Sequence, residues 1–459
     1  MIVDLERLKE IVEKTVDSTV KNGADQAQAS AFINDSALTR FANSQIHQNV
    51  ASKQGSVTIK AVLRKNISNI RLDSLVWKDI EKAVIRAIRI ARASSPTKDF
   101  KSLPKPEKWA PVKGAFDKAT AECDPSFRAR KVKVAIDKAH AKSSKVKAVA
   151  GYFSTEVLGF AVANSLGVLA WSSLTQASMK TTVISRHAGS EGASSQQSNS
   201  RKVADINPVK LAEDAADMSV RSLKPVKVEP REYEVVLSPM AVSTLMLYAG
   251  FLGFSAPVYQ DGQSFVNYAL NQKVFDEKIS IIDDARSSKT LLMMPVDGEG
   301  MPKKPLMLVE KGVVSENSIC YDSFYAGKEG KKTTGHATPA FAGYYGDDPS
   351  PSNMIMEAGD TTLDEAVKDT KHGLFVNTVH YVNPAERTKL VLTGLTRDGT
   401  FLIENGEIST PILNMRFTDS MLSAFKEAPM IGKELRVLGP ATVPMIKVKK
   451  LKFVGVSAY

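Results

Sequence analysis

Cysteine and histidine are scarce in this sequence. Its two cysteines, Cys123 and Cys320, lie far apart and form no Cys-x-x-Cys pair, which excludes a disulfide framework and a cysteine-rich zinc site. We expect two reduced thiols that pack as small apolar groups. None of the six histidines has another histidine four residues away, as a helical zinc clamp requires. We therefore predict that no metal is bound by this chain.

Long apolar runs are missing too. The 459 residues contain no stretch of about eighteen consecutive apolar residues, so no membrane-spanning helix is expected. The first residues form an amphipathic pattern unlike a signal peptide, which favours a cytoplasmic protein. A composition of 43% apolar and 24% charged residues is typical of a soluble globular protein, and the length allows two or three domains.

The motifs of several enzyme classes do not occur. The sequence has no Gly-x-Ser-x-Gly nucleophile turn and no glycine-rich phosphate loop followed by lysine. Two carboxylate pairs, Asp283 with Asp284 and Asp297 with Glu299, are able in principle to act as acid and base or to bind a divalent cation. A hydrolase built on these four residues is one alternative interpretation.

Positive charge is in excess, with a net charge of +11. Residues 98–147 contain 14 Lys and Arg against 6 Asp and Glu, and such a basic region attracts nucleic acid or an acidic partner. The aromatic residues of this region are scattered, unlike a stacking platform for bases. A stand-alone peptide- or nucleic-acid-binding protein is therefore a second alternative, and nucleic acid is not favoured as the partner.

The N-terminal part reads as helix, sheet and helix. Asp4 caps an apolar periodicity that ends near Gly23, residues 26–72 have the texture of an antiparallel meander, and residues 76–93 return to helical spacing. Four prolines in residues 94–114 then predict a linker. We place a first domain at residues 1–95.

A middle domain is predicted at residues 96–224. It has a helix over residues 125–142, several short strands between residues 145 and 187, and a helix that Asn207 caps. The Gly- and Ser-rich residues 188–201 are typical of a mobile loop or hairpin tip.

The remaining residues, 225–459, predict a β-rich domain. Ser238 and Pro239 start a helix that is apolar nearly all round, which is typical of a buried helix. The strands that follow are separated by turn residues, with tight turns expected at Gly399 and at Asn405-Gly406. The fold class is thus α+β: an N-terminal helix–antiparallel sheet–helix region, followed by a barrel-like C-terminal domain with a few packed helices.

Several short blocks follow one another in a fixed order in the second half. They are Ile281-Ile282-Asp283-Asp284, Val296-Asp297-Gly298-Glu299-Gly300, Leu308-Val309-Glu310-Lys311-Gly312, Thr333-Thr334-Gly335-His336-Ala337, Pro351-Ser352-Asn353 and Phe401-Leu402-Ile403-Glu404-Asn405-Gly406-Glu407-Ile408. That order resembles the TldD/PmbA metallopeptidase family, also called TldD/TldE, and residues 39–49 are similar to the family's N-terminal block.

The resemblance also shows a departure. The catalytic branch of the family carries a zinc-binding His-Glu-x-x-x-His helix just before the Asp-Asp block, and a cysteine farther along. The corresponding window here offers Leu247, Tyr248 and Leu252, and no cysteine follows Cys320. The resemblance therefore implies the non-catalytic TldE/PmbA-like branch, without catalytic or metal-binding residues of its own.

The resemblance further implies a partner. In the family, a zinc-bearing TldD-like homologue forms a cytoplasmic heterodimer with the metal-free subunit, and unfolded peptides are cut in the chamber between them. The polar stretch of Thr334, Gly335 and His336 is the best candidate for a contact with peptide or partner, since binding residues often lie on loops of a β framework.

Overall fold

A computed structural model describes residues 4–339 and 348–457. Its N-terminal elements are α1 (Leu5–Lys21), β1 (Gln26–Ala42), β2 (Gln45–Leu63), β3 (Asn66–Leu72) and α2 (Trp77–Ala93). The side chain of Asp4 accepts a hydrogen bond from the backbone N–H of Arg7 and so caps α1. The predicted order of helix, three antiparallel strands and helix is confirmed.

The middle elements complete the same sheet. They are α3 (Lys118–Ala121), α4 (Pro125–Lys142), β4 (Val146–Asn164), β5 (Leu169–His187), β6 (Ser190–Ser200) and α5 (Pro208–Arg221). The antiparallel sheet has the order β3-β2-β1-β4-β5-β6. Since β1 pairs with β4, strands from both sides of the boundary predicted at residue 95 share one sheet. The division into three domains stays a prediction.

Two expectations for this region were wrong. The short strands predicted between residues 145 and 187 are two long strands, β4 and β5. The Gly- and Ser-rich residues 188–201 form mainly strand β6 rather than a mobile loop, and the hairpin tip is confined to Ala188 and Gly189. Their small side chains suit this place because α5 lies close above the strand: a Cβ at Gly192 would stand 2.3 Å from the carbonyl oxygen of Ser219.

The helices cover one face of the six-stranded sheet. Helices α1 and α2 bury the odd-numbered side chains at one end of β1, such as Ala29 and Ala31, while α4 and α5 bury Phe153 and its neighbours at the other end. Since side chains alternate along a strand, the even-numbered residues of β1 and β4 project from the opposite face. That face meets the C-terminal domain.

The C-terminal domain contains many short elements. They are β7 (Glu232–Leu237), α6 (Pro239–Gly253), α7 (Ala256–Gln260), α8 (Val266–Ala269), β8 (Ile281–Asp283), β9 (Leu306–Glu310), β10 (Val313–Val314), α9 (Ser323–Lys328), β11 (Met354–Met356), α10 (Leu363–Lys368), β12 (His372–Glu386), β13 (Val391–Glu404), β14 (Glu407–Pro411), β15 (Met415–Ser420), α11 (Met421–Ala424), β16 (Met430–Ile431), β17 (Arg436–Leu438), β18 (Ala441–Val443) and β19 (Ile446–Val456). A large apolar core joins them.

These strands form a closed barrel and a second sheet. The order β12-β7-β19-β15-β13 closes on itself because β12 also pairs with β13, and β10-β9-β8-β11-β18-β17 forms the second sheet. The predicted α+β class with a barrel-like C-terminal part is confirmed. The turn predicted at Asn405-Gly406 joins β13 to β14, with both residues at positive φ. Gly399, by contrast, is no turn: it lies inside β13, where the pairing with β12 shifts register.

Helix α6 differs from its prediction. Ser238 caps it as expected, and its side chain accepts a hydrogen bond from the backbone N–H of Met240. Val242 and Leu245 are buried as predicted, but Ser243 and Leu247 remain half-exposed. The reason is tertiary: the helix packs on the barrel and the second sheet, and its remaining side faces the six-stranded sheet across open space.

The helices of residues 4–339 and 348–457 include none that is both long and apolar enough to cross a membrane.

A candidate binding cleft between the sheet and the C-terminal domain

Two adjoining cavities separate the six-stranded sheet from the C-terminal domain. The large chamber has a volume of about 1260 Å³ and the small chamber a volume of about 690 Å³. Both are lined by Leu247 of α6, Gln197 of β6, Gly439 and Pro440, so the two chambers form one cleft. Each is at least as large as an ordinary small-molecule pocket, which suits a ligand such as a peptide segment.

The sheet wall of the small chamber is polar. It is built from residues that alternate along β1, β4 and β5, because these side chains project away from the helices. They are Asn34, Ser36, Leu38, Arg40, Tyr152, Ser154, Glu156, Leu158, Gln176 and Ser178. Hydroxyl and amide groups predominate, and these are groups that both donate and accept hydrogen bonds. The alternation in the sequence signalled a strand face, but not that this face lines a cleft.

The window that corresponds in position to the family's zinc-binding helix does not fit a metal. Leu247 lies in the wall of both chambers, where its alkyl side chain offers no lone pair. The hydroxyl of Tyr248 donates to the carbonyl oxygen of Val382, and Leu252, 1% exposed, packs in the core. Zinc needs nitrogen, sulfur or oxygen ligands around one point, so these three positions do not provide a site.

Other groupings of metal-binding side chains give the same result. Among the residues that the structure describes, no three His, Cys, Asp or Glu side chains gather closely enough to hold a metal ion.

His336 is in the cleft wall, but its polar atoms face inward. The residue is 1% exposed, and its Nε2 lies 3.0 Å from Oδ2 of Asp283. Burial, and then the charge of Lys303, lower the pKa of His336, whereas the His336 hydrogen bond and Lys303 lower the pKa of Asp283 despite its burial. At Nε2 the imidazole donates to the ionised Asp283 carboxylate, and its Nδ1 lies 2.9 Å from the carbonyl oxygen of Thr334.

The three residues predicted to contact a peptide or partner have different places in the structure. Thr334 supports the fold: its hydroxyl accepts from the backbone N–H of Tyr321 and lies 3.0 Å from Nδ1 of His336. Gly335 holds a positive φ, and a Cβ there would lie 2.4 Å from the carbonyl oxygen of Pro302. Only His336 of the three lines the small chamber. A contact of these residues with peptide or partner stays a prediction.

Asp283 joins three segments at this wall. Its Oδ1 accepts hydrogen bonds from the backbone N–H groups of Ser352 and Asn353, at 2.8 and 2.6 Å, while Oδ2 faces His336. Its neighbour Asp284 instead accepts from the backbone N–H of Arg286 in a local turn. The two carboxylates of the Asp-Asp block thus do not act as an acid–base pair on one ligand.

The second carboxylate pair lies in a buried cluster. Oδ1 of Asp297 accepts from the backbone N–H groups of Glu299 and Met301, and Glu299 accepts from the N–H and the hydroxyl of Ser323. Lys60 lies 3.7 Å from Glu299. These bonds tie loops together and account for the acidic groups structurally.

The charges of this cluster repel one another. Burial, followed by the nearby Glu299 carboxylate, raises the pKa of Asp297 to about 7, and the same two causes raise the pKa of Asp322 to about 7. The folded chain therefore keeps protons that the unfolded chain loses above about pH 4. Stability from these groups is highest in acid and declines as the pH rises towards 7, by about 1.4 kcal/mol per pH unit for each carboxyl.

This decline provides a test of the cluster. We expect Glu299→Gln to lower the pKa of Asp297 and Asp322 and so to flatten the dependence of the unfolding free energy on pH between about 5 and 7. Urea unfolding at a series of pH values measures this pH dependence. Glu310→Gln, at an exposed position, is the control and should leave the slope unchanged. If the unfolding free energy of Glu299→Gln and of the unmodified chain changes equally with pH, Glu299 does not raise the pKa of Asp297 and Asp322.

The other candidates of the sequence lie away from the cleft or at its rim. No residue of the basic region 98–147 lines either chamber. His140 is hydrogen-bonded to Ser44, and His372 to Arg231. His380 lines the large chamber, 3.3 Å from Arg397. Cys320 is buried and Cys123 half-buried.

Two family models match the sequence. The model described as the PmbA/TldA metallopeptidase central domain matches residues 99–223, and the model described as the PmbA/TldA metallopeptidase C-terminal domain matches residues 230–455.

Curated relatives are similar over part of their length. An uncharacterized protein of Methanocaldococcus jannaschii is 31% identical over 220 residues, 46% of this chain and 49% of the relative. A protein named zinc metalloprotease TldD homolog, from Saccharolobus solfataricus, is 26% identical over 250 residues, 51% of this chain and 54% of the relative. The chain thus spans about half the length of the curated relatives it matches.

Solved structures match over nearly the whole chain. TldE from Thermococcus kodakarensis superposes with a TM-score of 0.87 at 19% identity, covering 96% of this chain and 99% of that one. A protein described as a putative modulator of a DNA gyrase, from Thermotoga maritima, gives a TM-score of 0.85 at 20% identity, covering 97% and 100%. These likenesses establish the fold.

Proposed function

Because this chain belongs to the PmbA/TldD metallopeptidase family, we propose that it is the metal-free subunit of a heterodimeric peptidase of the TldD/TldE type. A TldD-like homologue would supply the zinc and the chemistry, and this chain would shape the space in which unfolded peptides lie. We place the complex in the cytoplasm. The observation that carries the proposal is Leu247, an alkyl side chain that lines both chambers where the resemblance puts a metal ligand.

The surroundings of Leu247 support the same role. Tyr248 uses its hydroxyl to hold the β12 backbone, and Leu252 is part of the core. Helix α6 therefore contributes packing on two sides and, at Leu247, an alkyl side chain to both chambers of the cleft on the third. Such a surface excludes water and positions a chain, and it neither activates water nor transfers a proton.

The cleft itself is suited to extended polypeptide. Its sheet wall presents Ser, Asn and Gln side chains at alternating strand positions, which match the regular N–H and C=O groups of a peptide better than a specific side chain. Recognition through the backbone is tolerant of sequence, as the processing of unfolded peptides requires.

Reconstitution tests the proposal. This chain, its zinc-bearing homologue and an equimolar mixture are each assayed for zinc by elemental analysis and for hydrolysis of unfolded casein. We expect no zinc and no hydrolysis from this chain alone, and the highest activity from the mixture, with the two chains co-eluting in size-exclusion chromatography. One equivalent of zinc together with activity in this chain alone would overturn the assignment.

A substitution in the cleft adds a sharper test. We expect Leu247→Arg to reduce hydrolysis by the mixture about tenfold or more, because it places a long charged side chain in the peptide path. The zinc content of the mixture should stay unchanged. Ile85→Arg, on the exposed side of α2, is the matched control and should retain full activity. If the complex with Leu247→Arg still forms and retains full activity, the cleft at Leu247 is not the path of the peptide.

A further inference from the structure

Glu156 stands alone in the wall of the small chamber. It lies in the middle of β4, where it is paired in register with Ser36 of β1 on one side and Gln176 of β5 on the other. All three residues line the chamber. Among the residues that the structure describes, no side chain forms an ion pair or a hydrogen bond with the Glu156 carboxylate.

The cations of the chamber are engaged or distant. Arg71 pairs with Asp73, and the Nζ of Lys303 contacts Ser352 on the opposite wall. Arg40 lies four residues along β1 from Ser36, the residue opposite Glu156, which corresponds to about 13 Å of extended strand. Glu156 is also the one acidic residue among the described residues that line the chamber.

Glu156 is half-buried, and burial without a partner is unfavourable for a carboxylate. It raises the pKa of Glu156, because the charged form loses water and gains nothing in return. A carboxylate kept in this condition on the wall of a cavity is complementary to a positive group that enters the cavity. Structural carboxylates elsewhere in the chain, such as Asp283 and Asp297, have their hydrogen-bond donors in the fold itself.

We propose that Glu156 is the anchor for a positively charged group of the bound peptide, either the N-terminal ammonium or a Lys or Arg side chain. The inference rests on the proposed function only in taking the ligand to be a peptide. It adds a specificity that the remaining polar wall does not provide, since Ser36, Ser154 and Gln176 are uncharged.

The neighbouring residues allow the rest of the peptide to bind beside such an anchor. Asn34 lies two positions from Ser36 on the same strand face and also lines the chamber. Its side-chain amide is a hydrogen-bonding group beside a chain that runs along β1. An extended peptide would then have one charged contact at Glu156 and backbone contacts along the strand face.

Peptide binding to the full chain alone tests this. Three fluorescent peptides of equal length and without acidic residues are compared by anisotropy: one with a free N-terminus and no Lys or Arg, one acetylated with a central Lys, and one acetylated with Gln in place of that Lys. We expect one or both cationic peptides to bind about tenfold more tightly than the neutral peptide, as a charged hydrogen bond would provide. Tighter binding of the peptide with the free N-terminus would identify the ammonium as the group bound, and tighter binding of the acetylated Lys peptide would identify the side chain.

Two variants identify the residue responsible. Glu156→Gln should abolish the preference for the cationic peptides and leave the affinity for the neutral peptide unchanged. Glu191→Gln, in the large chamber and paired with Arg186, should keep the preference. The thermal unfolding temperature of Glu156→Gln should be equal to or higher than that of the unmodified chain, because an unpaired carboxylate is neutralised.

Three outcomes would overturn the inference: an unchanged preference in Glu156→Gln, no preference in the unmodified chain, or no binding of any of the three peptides. This test and the test of the proposed function fail independently. The binding preference for cationic peptides can depend on Glu156 even if the mixture with the homologue hydrolyses no peptide. Conversely, the mixture can hydrolyse peptides even if this chain binds cationic and neutral peptides equally well.

Discussion

Replacement of Asp283 by alanine should lower the free energy of unfolding by about 3–5 kcal/mol, because it removes one partner of a buried, hydrogen-bonded pair. The carboxylate accepts from two backbone N–H groups, those of Ser352 and Asn353, as well as from His336. All of these donors are buried or partly buried, so water would not replace the lost acceptor fully. Urea unfolding at neutral pH measures the change.

The neighbouring carboxylate is the matched control. Asp284 has the same side chain and the adjacent position, but it is partly exposed and accepts one local N–H, from Arg286. We expect Asp284→Ala to cost about 1 kcal/mol. A double-mutant cycle of Asp283→Ala with His336→Ala should show coupling of about 1–3 kcal/mol. Equal losses for Asp283→Ala and Asp284→Ala would contradict the role of the buried pair.

The pH dependence gives a second readout for Asp283. Its pKa is lower in the folded chain than in the unfolded chain, so its contribution to stability is present above the unfolded value and is lost as the pH falls through the folded value. The difference in stability between the unmodified chain and Asp283→Ala should therefore narrow in acid, below about pH 4. A difference that widens in acid would show that the carboxylate is not the source.

Gly192→Val should destabilise the chain by about 3 kcal/mol and detach β6 from α5, because overfilling a close contact forces backbone apart. A Cβ on Gly192 would lie 2.3 Å from the carbonyl oxygen of Ser219 and 3.1 Å from the backbone nitrogen of Leu223. Both are backbone atoms, so no side-chain rotation relieves the collision. Valine favours strands, which means that local propensity opposes the expected loss.

The same substitution distinguishes the strand from the loop that composition predicts. In a mobile loop at residues 188–201, valine would cost almost nothing. Gly455→Ala is the control, since no atom lies within 4 Å of the added Cβ and the φ of Gly455 is not positive. We expect it to change stability by less than about 1 kcal/mol. Hydrogen exchange should also show faster exchange of β6 amides in Gly192→Val, and unchanged exchange would contradict the close packing of β6 against α5.

Local patterns were sufficient where the physical cause is itself local. The caps Asp4, Asn207 and Ser238 start their helices where the sequence predicts, because a cap satisfies N–H groups only two or three residues away. The Asn405-Gly406 turn was predictable for the same reason, since it requires positive φ at two adjacent residues.

Sequence patterns gave wrong predictions where contacts with a distant segment determine the local structure. Residues 188–201 have the composition of a loop, yet β5 supplies the hydrogen bonds and α5 the close contact that make them a strand. Gly399 looked like a turn, yet β12 continues to pair with the residues on both sides of it. Asp283 and Asp284 are equivalent in the sequence, and contacts with His336, Ser352 and Asn353, far along the chain, distinguish them.

The candidate site shows the same division. The sequence alone supports the order of the blocks, and with it the family. It also shows that residues 247–252 contain no His or Glu, because both are properties of neighbouring residues. The tertiary structure decided that Leu247 reaches the cleft and that Glu156 lies there without a partner. Both depend on packing between segments that are remote in sequence. A side chain's type is a local fact, whereas its solvent, its partners and the cavity it faces are set by the fold around it.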